Sequence, residues 1–133
     1  MQVRPIPGSW KTAVIEILET CNSGRIEWTF TAENSWQPFG LEQEAYEILI
    51  MTLKHDEVLG HQVVGMLDGR DGSHTDCWAF LCPHPWGSPV PIYAKIGIHH
   101  SQVHINLFSL HVDDGSEKLQ NAIKAYRKKY NRR

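Results

Sequence analysis

One lysine, four histidines and two aromatic residues fall in the alternating stretch PIYAKIGIHHSQVHINLFSLH, residues 91–111. A lysine ammonium stabilises charge developing on a phosphate, an imidazole moves a proton near neutral pH, and aromatic rings stack on bases. Whether these groups act together depends on the backbone that carries them. Read as two strands joined by a tight turn at His100 and Ser101, the stretch sends alternate side chains to opposite faces. If His99 pairs with Gln102, then Ile92, Ala94, Ile96 and Ile98 share a face with Val103, Ile105, Leu107 and Ser109. That apolar face is the core side. The other face then carries Tyr93, Lys95 and Gly97 against Phe108, Asn106 and His104, with Lys95 opposite Asn106. Lysine, asparagine and tyrosine are also ordinary occupants of the wet face of an antiparallel sheet.

Other candidates lie outside this hairpin. Arg70 stands at the tip of DGRDG, which has glycines but neither the lysine nor the spacing of a phosphate loop. The segment reads as a turn with Arg70 free to reach a ligand. PHPWGSP (83–89) offers His84 and Trp86, either as a lip over the sheet's open face or as a rigid connection. A metal reading of His74, Cys77, Cys82 and His84 is weak, because the two cysteines lie on one strand and point to opposite faces. Cys77 sits in an apolar strand with Trp78 and Phe80 beside it, and Cys21 falls on the apolar stripe of a helix, so both read as packing rather than as nucleophiles. No metal or cofactor is expected.

Elements must position these groups. SWKTAVIEILETCNSG reads as a helix capped by Ser9, with Trp10, Ala13, Val14, Ile17, Leu18 and Cys21 as its stripe. RIEWTF reads as a short strand or an extended connection, and AENSWQPFG as loop. LEQEAYEILIMTLK is a second helix. HDEVLGHQVVGML, which contains His61, fits a short helix or a strand. DCWAFLC is a strand too apolar to be half exposed, and therefore central. A final helix starts near Ser116 and gathers basic residues at its C-terminal end, where the helix dipole favours them. Strands grouped between helices imply one α+β domain over residues 1–133, with an antiparallel sheet, helices packed on one face and a cleft on the other.

Bulk properties narrow the function. With 41% hydrophobic and 21% charged residues, the 133-residue chain has an ordinary globular composition. The net charge of −2 conceals an acidic body, with 6 Lys+Arg against 14 Asp+Glu over residues 1–116. The tail, residues 117–133, holds 7 Lys+Arg against one Glu. Arg127 and Lys128 in this tail either solvate a helix end or contact phosphate or a partner. The longest apolar run is far short of a bilayer span, no apolar signal region follows MQVRPIPGSW, and 3 cysteines give no disulfide framework. The expectation is a cytoplasmic protein without membrane contact.

The order of these motifs resembles the MqsR-type toxins of bacterial toxin–antitoxin systems, messenger-RNA interferases of RelE-like fold. The likeness runs from Ser9 to His111: an amphipathic helix, SGRIEWTF, a helix ending in TLKHDEVLGH, the strand DCWAFLCP, and the hairpin strand IYAKI with Ile98-His99 entering its turn. The helix from Ser116 extends beyond it. The resemblance implies a RelE-like fold and metal-independent cleavage of mRNA by attack of the ribose 2′-hydroxyl, restrained by an antitoxin protein. Its hairpin lysine carries over onto Lys95. A second family lysine falls near Gly60, with His61 adjacent, and a family tyrosine falls near Leu81. These departures leave His61, His104 or His84 to supply proton transfer, Tyr93, Asn106 and Phe108 to orient RNA, and Arg70 and the tail to meet phosphate. They also leave open a non-catalytic RNA- or protein-binding module of the same fold, and, more remotely, a structural protein that oligomerises through a sheet edge.

Overall fold

The computed structural model describes residues 1–84, 87–112 and 117–130. Trp86 and Ser116 fall outside this set. In chain order the elements are β1 (Arg4–Pro5), α1 (Gly8–Glu19), β2 (Ile26–Trp28), α2 (Phe30–Trp36), α3 (Glu42–Leu53), β3 (Leu59–Val63), β4 (Asp76–Cys82), β5 (Ile92–Ile98), β6 (Ile105–Val112) and α4 (Glu117–Tyr130). The six strands form one sheet in the order β1-β3-β4-β5-β6-β2. The fold class is α+β, but the sheet is mixed rather than antiparallel throughout, because β2 runs parallel to β6 at one edge.

The main core lies on the face where Trp78, Phe80, Cys82, Ile92, Ala94, Ile96, Ile98, Ile105, Leu107 and Leu110 meet α1, α2 and α3. α1 buries Trp10, Val14, Ile17 and Leu18 at helical spacing. Its stripe ends one turn earlier than the spacing predicts: Cys21 has left the helix, with φ 49°, and is exposed. The N-cap is Pro7 rather than Ser9. Part of the expected loop AENSWQPFG belongs to a short helix, α2, because the Thr29 hydroxyl accepts the Ala32 N–H at 3.2 Å and nucleates its first turn. Burial of Ala32 and Trp36 then holds α2 against the sheet.

The helices do not all pack on one face. α4 lies across the opposite face, where Leu119 and Ile123 cover Val3, Leu59 and Ala79, with Leu81, Tyr93 and Tyr126 packed alongside. At the other end of that face, the loop joining β3 to β4 places Asp68 against β6 and Gly69 beside Glu27 of β2. The expected open cleft is therefore narrowed to the strip between α4 and this loop. No described helix is long and apolar enough to cross a membrane.

Candidate functional site

The floor of the strip follows from strand register. Opposite the core, aligned rows cross the sheet: Leu81, Tyr93 and His111; His61, Ala79, Lys95 and Ser109; and Val63, Cys77, Gly97 and Asn106. The hairpin does not turn on two residues. The His99 N–H bonds the His104 carbonyl at 3.0 Å, and a turn between them is closed by the Gln102 N–H on the His99 carbonyl at 2.8 Å. Ile98 consequently faces Ile105, and Gly97 faces Asn106. The register then shifts between Lys95 and Ile96, so that Ile96 faces Leu107 whereas Lys95 faces Ser109.

This bulge at Phe108 decides which groups surround Lys95. A strand bulge sends every following side chain to the face opposite the one that strict alternation gives it. Ser109 thus leaves the expected core face and lies directly across from Lys95, and His111 joins it on the open side. The His111 ring stacks on Tyr93 at 5.2 Å between centroids. Its Nδ1 lies 3.0 Å from the Val112 carbonyl, an acceptor, so Nδ1 carries the proton and Nε2 is left with its lone pair. Lys95 is half-buried, and none of the described residues pairs with its ammonium. It lies near Cys77, whose thiol is pushed up to about 12 by burial against the opposing pull of the Lys95 charge.

The other residues expected beside Lys95 are placed elsewhere. His104 and Asn106 do lie on the open side, but both turn into the β3–β4 loop and bond Asp68 Oδ1, at 2.7 and 2.8 Å. Phe108 remains on the open side with its ring over Gly97, where an added Cβ would strike it and the Thr75 hydroxyl. Gly97→Val is accordingly expected to lower stability by about 1–3 kcal/mol through overpacking, measurable as a reduced melting temperature. Arg70 is not free, because it pairs with Glu27 at 3.2 Å and donates to the Gly24 carbonyl. His61 shares the Lys95 row but is separated from it by Ala79, and its Nδ1 meets the Gln2 carbonyl at 2.8 Å. His84 sets its ring edge-on to Phe39, which packs against the main core, so it forms no lip over Lys95. Arg127 lines a groove of 370 Å³ with His55, Glu57, Leu81 and Ile123, and Lys128 is exposed on α4.

Position 60 is one of the two departures from the pattern that the resemblance implies. A Cβ there would lie 2.8 Å from the Ala79 carbonyl oxygen and from the Ile6 side chain, so only glycine fits and no lysine could reach the open side. Leu81, the other departure, faces α4 beside Tyr93.

No family model, curated protein or solved structure matches this chain.

A second constellation caps the strip. Asp68 is 3% exposed and is held by four donors: His104 and Asn106 on Oδ1, and the Arg70 and Asp71 N–H groups on Oδ2 at 2.9 and 3.0 Å. Burial pushes its carboxyl up, but the bonds from Asn106, His104 and the two amides outweigh burial and hold it at about 2. Asp71 is held below the usual carboxylate range, first by the Ser73 hydroxyl and amide and then by His99 at 2.6 Å. The His99 ring stacks on His104 at 4.4 Å and lies 4.0 Å from His100. Sequence reading missed both this cluster and His111. The cluster joins residues that are distant in the chain. The bulge has a local signal: the aliphatic core residues run Ile105 and Leu107, then skip to Leu110, a break in strict alternation.

Proposed function

We propose that this chain is a toxin-type RNA interferase that cleaves single-stranded RNA by internal transesterification and is neutralised by a protein antitoxin. The observation that carries the reading is the Phe108 bulge, which puts on one strip an ammonium (Lys95) and an imidazole Nε2 (His111) without a partner among the described residues, an aromatic ring (Tyr93) and a hydroxyl (Ser109). His111 takes the proton from the ribose 2′-hydroxyl. The 2′-oxygen bonds the adjacent phosphorus, and the 5′-oxygen of the next nucleotide leaves, protonated by water. Lys95 balances the charge that builds on the phosphoryl oxygens. The Tyr93–His111 stack offers a π-face to a base. His111 therefore replaces His104 and His61 as the proton-transfer group. The resemblance to MqsR-type toxins supports the same reaction class through Lys95.

The expected products are fragments with 2′,3′-cyclic phosphate and 5′-hydroxyl ends, formed from a mixed RNA pool in excess EDTA. The Asp68 bonds hold the overlying loop without an ion, so chelation does not remove the site. A non-catalytic binding module is the second reading, favoured by the acidic body and by the presence of one free imidazole at the strip among the described residues; retention of intact RNA under the same conditions would establish it.

A further inference from the structure

We propose that the tip of the β5–β6 hairpin and the loop between β3 and β4 form a divalent transition-metal site, with Asp68, His99 and His104 as ligands. One donor atom from each lies within 4.8 Å of the others, and the three residues are 3%, 7% and 7% exposed. A second set, Asp71, His99 and His100, converges to the same spacing and shares His99. This inference does not depend on the RNA reading.

Charge is the first argument. Asp68 and Asp71 meet imidazoles as their only ionic partners among the described residues, and the neighbouring guanidinium of Arg70 is committed to Glu27. Asp68 as ligand and Asp71 on the His99 ring together carry the charge that balances a divalent ion.

Geometry and donor chemistry narrow the ion. Bonds of about 2.0–2.2 Å place neighbouring donors roughly 3–3.5 Å apart; His104 Nε2 and Asp68 Oδ1 are already at 2.7 Å, and donors up to 4.8 Å apart would close in by up to about 1.3–1.8 Å. Imidazole with carboxylate suits zinc, iron, manganese, cobalt or nickel, whereas magnesium and calcium prefer all-oxygen sets. One supporting contact is of the kind that orients a ligand: Asn106 Nδ2 donates to Asp68 at 2.8 Å. Asp71 and His100 are exposed at the rim and give an ion a route inward. Bound there, it would tie the β3–β4 loop to the hairpin and fix one wall of the Lys95 strip.

The test is calorimetric titration of zinc sulfate into the full chain after EDTA treatment and dialysis. One equivalent should bind, His99→Gln and His104→Gln should each weaken that binding at least about 100-fold, and His61→Ala should leave it unchanged. Magnesium should produce no saturable heat. As a readout independent of how the buried variants fold, the wild-type histidine ring resonances are followed in parallel, and zinc should shift those of His99 and His104. No stoichiometric binding, unchanged affinity in folded ligand variants, or shifts confined to His55, His74 and other exposed histidines would overturn the proposal.

Discussion

Lys95→Ala is expected to reduce the rate of RNA cleavage by about 10²–10³-fold, the usual effect of removing one donor that meets transition-state charge. The side chain has no hydrogen-bond or ionic partner among the described residues, so the variant should fold with stability within about 0.5 kcal/mol of wild type. Single-turnover cleavage and a thermal melt on one preparation separate these effects. A folded variant that still arrests growth and cleaves at the wild-type rate would remove Lys95 from the chemistry. If the chain only binds RNA, the same substitution should weaken affinity and reduce the salt dependence by about one phosphate contact.

The largest expected effect on stability comes from Asp68→Ala. The carboxylate is buried, and its removal strands the buried side chains of His104 and Asn106 and two part-buried backbone N–H groups. Breaking a buried, multiply bonded charge of this kind costs about 3–5 kcal/mol. For a chain of this size that is a fall in melting temperature on the order of 10–20 °C. Asp68→Asn keeps the shape and two acceptor directions, so its loss should be smaller. Equal stability of Asp68→Ala and wild type would mean that the loop is not fastened through this residue.

How far these features were legible differs from element to element, for physical reasons. α1, α3 and β4 follow from short-range periodicity, which burial on one face or on both imposes directly. The extra helix was also legible, but its position was not: α4 buries only Leu119 and Ile123, and nothing in so sparse a stripe says which sheet face it covers. β2 was ambiguous because its three residues are held by parallel pairing to β6, a partner about eighty residues away. Lys95 was placed on the correct face because β5 alternates without interruption. His104 and Asn106 were on the correct side too, yet the buried Asp68 in a segment that reads as a polar turn draws them away. One inserted residue at Phe108 exchanged the neighbours of Lys95, and a single-residue slip is enough to do that in any strand.

That Lys95 and His111 act together on RNA is the central claim, and RNA cleavage by His111→Asn measured beside His61→Asn, in excess EDTA and with both variants confirmed folded, tests it most directly. Cleavage should fall by about 10²–10⁴-fold in the first variant, as for loss of a general base, and persist in the second. Undiminished cleavage by His111→Asn, or loss of cleavage confined to His61→Asn, would contradict it.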